Sequence, residues 1–312
     1  MLLRHTLFLG LLACAATHAT PSAPPAAAAH GSAQQHQLLR HAPGAAAAAP
    51  TNATLTAFLT EISDWIMTTG VGSNILNNAS YFGTLDSIFI NGDLARVLLA
   101  ASKITGNSTY KEEGLRWCDA FVAKQLPITT STGKAAGYWD TGYHEVFIAD
   151  TGTAVAALAV GWHMAEPARQ EKYLAAMHKY HLFVTEGCKT APTNPPVDPT
   201  GECPPNGTGW VHTDGKDKGA LGDGWYKKTI NLTPYTISTA TSGSCAFVEL
   251  DVIAPSPALQ TVATNAVQWI IGQMSDDGRI PYIITPTDLT PTTYQPITYS
   301  TESFIDVDLR YR

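Results

Sequence analysis

Residues 150–165 read DTGTAVAALAVGWHMA, and this stretch decides the fold class. Apolar side chains such as Ala154, Val155 and Leu158 occupy nearly every side of the helix that it predicts. A helix that is hydrophobic all round has to be surrounded by protein. The stretch therefore predicts an inner helix, packed on several sides in a large core.

The residues that lead into this helix form a polar, aromatic loop. Residues 137–149 read GYWDTGYHEVFIA, so aromatic rings, a histidine and carboxylates stand together between glycines. The next carboxylate, Asp150, stands where the helix begins, a position at which Asp also caps helices. This composition is typical of a binding or catalytic loop.

Inner and outer helices alternate along the chain. Pro167 suits the first turn of an outer partner helix, whose apolar face includes Tyr173 and Met177. Repeated hairpins joined by long polar loops predict an α/α toroid, in which inner helices ring an axis and their N-terminal loops line one mouth. Further helices are predicted to begin at Thr54, at Asn91 or Asp93, at Thr109, near residues 242–244, at Pro257 and at Thr301.

Two motifs resemble the six-hairpin glycosidase superfamily, which includes unsaturated glucuronyl hydrolases and toroidal polysaccharide lyases. They are DTGTAVAALA at 150–159 and QMSDDGRIPY at 273–282, and the resemblance covers roughly residues 55–312. It implies an all-α, six-hairpin-like α/α toroid that acts on an oligosaccharide or polysaccharide. A closed ring of that kind has about six hairpins. The chain shows three and the start of a fourth, which predicts a fragment or an open ring.

The N-terminal region is predicted to be a secretory signal followed by a linker. Residues 1–19 combine Arg4 and His5 with a short apolar run and a small-residue end, which indicates secretion. Residues 20–52 are rich in Ala and Pro and have the composition of a disordered linker. The toroid domain is therefore expected to occupy residues 53–312.

Charge and hydropathy exclude some partners. The formal net charge is −7. This argues against nucleic acids and anionic lipids as partners, because both bind clustered Lys and Arg. No segment approaches the roughly 18 uninterrupted apolar residues of a membrane helix. The chain lacks the HExxH, GxSxG, P-loop and GxGxxG motifs, so we expect no metal and no cofactor.

Cysteines and sequons fit a secretory route. Cys188 and Cys203 flank a Pro-rich loop and are predicted to form a disulfide, in which case Cys118 would pair with Cys245. Glycosylation is predicted on surface loops. The predicted sites are Asn52, Asn78, Asn107 and Asn206, with Asn231 disfavoured by the nearby Pro234.

Glycoside cleavage needs two carboxyl groups in different environments and aromatic platforms for sugar rings. The loops at the predicted mouth supply acids at Asp86, Asp140, Glu145, Asp150, Asp223 and Glu302. We predict catalysis by Asp150 together with Asp140 or Glu302. The predicted substrate-binding residues are Asp86, Trp139, Tyr143, His144 and Trp225.

Two other functions fit the same residues. A polysaccharide lyase or epimerase would use Tyr143 or His144 as its base, and a glycan-binding or cell-wall protein would keep the toroid without the catalytic pair. The stretch 190–237 is predicted to be a long irregular loop, because its glycines and prolines disfavour regular structure.

Overall fold

A computed structural model describes residues 52–68, 87–140, 146–188, 209–226 and 229–274. It contains seven long helices in these ranges, with two small antiparallel sheets between them. The helices are α1 (Asn52–Thr68), α2 (Ser87–Thr105), α3 (Ser108–Lys124), α4 (Ile148–Trp162), α5 (Pro167–Glu186), α6 (residues 236–253) and α7 (Pro257–Gln273).

Helix α6 changes its winding along its length. A short α-helical turn, Thr236–Ser238, leads into a π-helical segment, Thr239–Ala246, and then into the α-helical turns Phe247–Ile253. Every residue of the π-helical segment is buried. Single π-helical turns occur mostly within α-helices and often beside functional sites.

The inner layer consists of α2, α4 and α6, which pack side by side. Glycines make the approach possible. A Cβ on Gly92 of α2 would lie 2.6 Å from the carbonyl carbon of Thr153 in α4, and a Cβ on Gly152 would overlap the Ser242 hydroxyl of α6. The helix predicted from residues 150–165 is therefore the central inner helix, enclosed on both sides.

The outer helices cover this inner layer. The α3 residue Cys118 and the α5 residue Tyr173 both face Gly161 of α4, where a Cβ would lie 2.8 Å from Cys118 Sγ and 3.3 Å from the Tyr173 ring. The next outer helix, α7, packs on the π-helical segment through Ala266 and Gly243. Inner and outer helices alternate along the chain as the sequence predicts.

Several predicted helix starts are wrong by up to about two turns. Helix α2 begins at Ser87, so Asn91 and Asp93 lie inside it rather than capping it. Helix α3 is capped by Asn107, whose side chain accepts a hydrogen bond from the Thr109 backbone N–H, and not by Thr109. Helix α6 starts before residues 242–244 because its first turns are built from small hydroxyl residues, which carry no amphipathic pattern.

The prediction of an irregular stretch at 190–237 is wrong for its second half. Strands β3 (Val146–Phe147), β4 (Gly222–Tyr226) and β5 (Thr229–Pro234) form a three-stranded antiparallel sheet. A separate hairpin, β1 (Leu126–Thr129) and β2 (Ala135–Tyr138), packs on α5. Residues 189–208 lie outside the described residues.

Two of the four predicted disulfide cysteines are free. Cys118 and Cys245 are both buried thiols, so the prediction that they pair is wrong. The Cys118 Sγ lies 3.5 Å from the Ala157 carbonyl oxygen of α4 and packs as a small apolar group. Cys203 lies outside the described residues, so the Cys188–Cys203 bridge stays a prediction.

Within the described ranges, no helix is both long and apolar enough to cross a membrane.

Candidate active site at the start of helix α4

Asp150 lies in the first turn of α4, but it does not cap the helix. The N-cap residue is Phe147, which makes no side-chain capping bond, and the helix begins at Ile148. The half-buried Asp150 is thus the third helical residue, and the prediction that it occupies the cap is wrong. The carboxylate still lies within the turn where the positive end of the helix dipole favours negative charge.

Two hydroxyl groups of helix α6 contact the backbone of this first turn. Ser242 of the π-helical segment donates a hydrogen bond of 2.6 Å to the Ile148 carbonyl oxygen. The adjacent Thr241 places its hydroxyl 2.9 Å from the carbonyl oxygen of Ala149. The backbone that carries Asp150 is therefore held by two consecutive residues of α6.

Tyr180 of α5 completes this hydroxyl cluster. Its buried hydroxyl lies 2.6 Å from Thr151 Oγ1, 3.0 Å from Ser242 Oγ and 3.1 Å from the Ile148 carbonyl oxygen. Thr151 also lies 2.9 Å from the Phe147 carbonyl oxygen. Each proton is used once when Thr151 donates to Phe147, Ser242 donates to Ile148 and Tyr180 donates to Thr151.

Burial keeps the Tyr180 phenol neutral. Complete burial raises the pKa of Tyr180 strongly, the Ser242 and Thr151 hydrogen bonds lower it in part, and the charge of Asp150 adds a smaller increase. Tyr180 therefore acts as a hydrogen-bonding anchor and not as a base.

Trp139 is a core residue, so its predicted role as a sugar platform is corrected. The side chain is only 1% exposed, and its indole N–H donates a bond of 2.8 Å to the Phe121 carbonyl oxygen of α3. The ring packs on Tyr180 with 5.5 Å between centroids. A sugar cannot stack on a ring that protein already covers on its faces.

The buried Trp139 positions the next residue, Asp140, which is half-buried. Tyr138, on the other side of Trp139, is buried against Phe183 of α5. Burial raises the pKa of Tyr138 to about 12, with a further contribution from the charge of Asp140. The Trp139 ring packs on Tyr180, whose hydroxyl lies 2.6 Å from Thr151, the residue after Asp150.

The three-stranded sheet adds a carboxylate at the same end of α4. Strand β3 runs directly into the helix, and its Phe147 pairs with Gly224 of β4. Asp223 stands next to Gly224 and accepts a hydrogen bond of 3.2 Å from the Asn231 amide of β5. Burial raises the pKa of Asp223, and the Asn231 bond lowers it in part.

Trp225 of β4 is buried as well, with 5% exposure, which argues against the predicted platform role. Its indole nitrogen has no hydrogen-bond partner among the residues that the structure describes. Trp225 therefore belongs to the hydrophobic core.

The remaining predicted site residues lie outside the described ranges. They are Asp86, Tyr143, His144, Glu145 and Glu302, together with the predicted glycosylation sites Asn78 and Asn206. Of the other predicted glycosylation sites, Asn52 is exposed at the first residue of α1 and Asn107 caps α3, and their glycosylation stays a prediction. No group of three His, Cys, Asp or Glu side chains within the described ranges could hold a metal ion.

Sequence reasoning missed Thr241, Ser242 and Tyr180. The signal for the first two is the run TATSGS at 239–244, in which small and hydroxyl residues replace the expected large apolar ones. Such residues let helices approach closely and supply donors. Tyr180 lies on the inward face of α5 between Tyr173 and Val184, where an aromatic residue with a polar tip usually finds a partner.

No protein-family model and no curated protein matches the chain. Among solved structures, a glycosyl hydrolase family 88 protein from Bacteroides vulgatus is similar at 13% identity and a TM-score of 0.51, covering 83% of this chain and 75% of that chain. A polysaccharide lyase is similar at 14% identity and a TM-score of 0.48, covering 83% of this chain and 68% of that one. The all-α toroid that the sequence predicts is confirmed as the fold.

Proposed function

We propose that the protein is a secreted carbohydrate-active enzyme that hydrolyses glycosidic bonds. The observation that carries the proposal is the pair of half-buried carboxylates, Asp140 and Asp150. Asp140 follows the buried Trp139, and Asp150 precedes Thr151, which lies 2.6 Å from the hydroxyl of Tyr180, the residue that packs on Trp139. The similar fold of a protein named as a glycosyl hydrolase supports it.

The two carboxylates stand in different surroundings, as acid/base hydrolysis requires. Asp150 lies in the first turn of α4, where the helix dipole favours the ionised form and suits a base or nucleophile. Asp140 follows a buried tryptophan outside the helix and lacks this dipole. We assign the activation of water, or attack on the sugar, to Asp150.

The proton for the leaving oxygen would come from a second acid. Asp140 is the described candidate from the predicted pair, and Glu302 remains a prediction outside the described residues. Secretion also remains part of the proposal, because residues 1–51 lie outside the described ranges. The substrate class is an oligosaccharide or polysaccharide.

The test is a screen of the secreted protein on polysaccharides and aryl glycosides, followed by the variants Asp150→Asn and Asp140→Asn. We expect Asp150→Asn to lower kcat/KM by a factor of about 10² or more while the melting temperature changes little, and Asp140→Asn to do the same if Asp140 is the second acid. The exposed Asp214, changed to Asn, is the matched control and should leave kcat/KM unchanged.

Three outcomes would contradict the proposal in different ways. A product that absorbs in the ultraviolet, formed without uptake of water, would make the protein a lyase. Glycan binding without cleavage by the wild-type protein would make it a binding protein. Full activity of Asp150→Asn would move catalysis to another part of the chain.

A further inference from the structure

We propose that Asp223 is the proton donor of this site and that Asn231 sets its proton affinity. The inference rests on the proposed hydrolysis and gives the role of second acid to Asp223 in place of Asp140 or Glu302. It follows from the placement of β4 beside the start of α4, from the fixed orientation of the Asn231 amide and from the burial of the carboxyl group.

Strand pairing brings Asp223 to the helix that carries Asp150. Phe147, the last residue of β3, pairs with Gly224, and Val146 pairs with Trp225 in the antiparallel register. Asp223 precedes Gly224 in β4, and Ile148, the first residue of α4, follows Phe147, so both residues adjoin the last pair of this ladder. Asp150 follows two residues later, within the first helical turn.

Gly224 permits this close approach. Its φ is +146°, a conformation that side chains rarely adopt, and a Cβ at this position would overlap the Val146 carbonyl oxygen. Any larger residue would therefore separate β4 from β3. The glycine next to Asp223 therefore allows β4 to lie close to β3, the strand that runs into α4.

The Asn231 amide can offer only its nitrogen to Asp223. Its side-chain oxygen accepts a hydrogen bond of 3.0 Å from the Thr233 backbone N–H, which is always a donor. The amide nitrogen consequently points to the other side, where it lies 3.2 Å from Asp223 Oδ2. This bond occupies one carboxyl oxygen and leaves Oδ1 to carry the transferable proton.

The electrostatic setting agrees with this geometry. Burial raises the pKa of Asp223, which favours the protonated carboxyl group that a proton donor needs. The Asn231 bond lowers the same pKa, because an amide N–H stabilises the ionised form. Among the described residues these are the two causes that act on Asp223, while Lys227 and Lys228, which stand between β4 and β5 in the sequence, lie outside them.

The proposed step balances as a hydrolysis. Asp223 transfers its proton to the glycosidic oxygen as the bond from that oxygen to the anomeric carbon breaks, which releases one sugar as an alcohol. The Asp150 carboxylate takes a proton from water as the water oxygen bonds to the anomeric carbon. One water is consumed, and proton return from Asp150 to Asp223 through solvent resets the pair.

Loss of a proton donor slows cleavage of substrates whose leaving group needs a proton more than cleavage of substrates whose leaving group does not. We would compare Asp223→Asn with the wild-type protein on dinitrophenyl glycosides, whose leaving group needs no proton, and on methyl glycosides of the same sugars, whose leaving group does. We expect kcat on the methyl glycosides to fall by about 10² or more and kcat on the dinitrophenyl glycosides to fall by less than about tenfold. Asp214→Asn is the matched control.

The second measurement is the pH dependence of kcat/KM for Asn231→Leu. Loss of the amide donor raises the Asp223 pKa, and activity that needs the protonated acid is lost as pH rises through that pKa. The alkaline limb should therefore move to higher pH by about 0.5 to 1 unit. The double variant Lys227→Gln and Lys228→Gln should leave the limb within about 0.3 unit of the wild-type position if Asn231 is the main influence.

The outcomes separate this inference from the function on which it rests. If the wild-type protein cleaves neither kind of glycoside nor any polysaccharide, hydrolysis is wrong and Asp223 loses its role with it. If the wild-type protein is active and Asp223→Asn lowers kcat equally on both kinds of glycoside, or on neither, only the inference is wrong. If Asp223→Asn does not fold, an unmoved alkaline limb in Asn231→Leu overturns the inference and a moved one supports it.

Discussion

Gly152 of α4 and Ser242 of α6 touch where the two inner helices cross. A Cβ at position 152 would overlap the Ser242 hydroxyl and lie 2.9 Å from the Ser242 backbone nitrogen. The same hydroxyl holds the Ile148 carbonyl oxygen at 2.6 Å. The closeness of these two helices and the position of the first turn of α4 therefore depend on one pair of residues.

We expect Gly152→Ala to destabilise the protein by about 1–3 kcal/mol, because the added methyl group pushes backbone against backbone in a tightly packed interior. The free energy of unfolding in urea measures this. Gly272→Ala in α7 is the matched control, since a Cβ there meets nothing within 4 Å. It should stabilise by up to about 1 kcal/mol through helix propensity. Equal effects of the two substitutions would contradict the packing explanation.

Tyr180→Phe removes the hydroxyl that joins Thr151 to Ser242 and keeps the ring on Trp139. We expect a loss of about 1–3 kcal/mol in stability, because buried hydroxyl groups lose a partner. We also expect a fall in kcat with little change in KM if the cluster positions Asp150. Steady-state kinetics on the cleaved substrate provides the measurement.

The control for this variant is Tyr173→Phe on the same helix. The Tyr173 hydroxyl lies 2.8 Å from Asp119 Oδ1 and 3.1 Å from the Leu115 carbonyl oxygen, on α3 and away from the start of α4. It should cost similar stability and leave kcat unchanged. A parallel fall in kcat for both variants would show that Tyr180 acts only through stability.

Stability should fall as pH drops from 6.5 towards 4 because of His181. Burial lowers the pKa of this histidine from its ordinary value of 6.5 to about 4, with His178 and Lys134 adding to the shift and Glu186 opposing it. The unfolded chain thus binds a proton that the folded protein rejects, and the loss at pH 4 reaches about 2–4 kcal/mol. Below the folded pKa the loss should level off.

Urea unfolding at several pH values tests this expectation with His181→Leu. The substitution keeps an apolar side chain against the edge of the Phe247 ring and removes the proton site. The slope of unfolding free energy between pH 6.5 and 4 should become flatter. His178→Gln measures how much of this slope comes from the neighbouring His178, whose pKa burial also lowers. The same slope in His181→Leu and wild type would contradict the assignment.

Cys118 and Cys245 should resist thiol alkylation in the native state. Both are buried free thiols, and burial raises the pKa of Cys118, so its reactive thiolate is scarce. Mass spectrometry without reduction should show both cysteines labelled by iodoacetamide only in denaturant. Cys188 and Cys203 should stay unlabelled in either condition if they are bridged. Labelling of Cys203 in denaturant before reduction would contradict the predicted disulfide.

Local sequence patterns determined much of the helical framework. Helices α5 and α7 begin at Pro167 and Pro257 as predicted, because proline fits the first turn of a helix whatever surrounds it. The all-round apolar character of residues 150–165 identified the central inner helix, since such a surface has to be covered. These conclusions need only the neighbours of each residue along the chain.

The tertiary structure alone decided which polar and aromatic residues form the site. Trp139 and Trp225 read as exposed sugar platforms, yet both are buried, because Phe121, Tyr180 and the three-stranded sheet cover them. The pairing of Val146 with Trp225 and the bond from Ser242 to Ile148 join segments far apart in the chain. Such contacts depend on which helices and strands pack together, and periodicity along one segment carries no information about its partner.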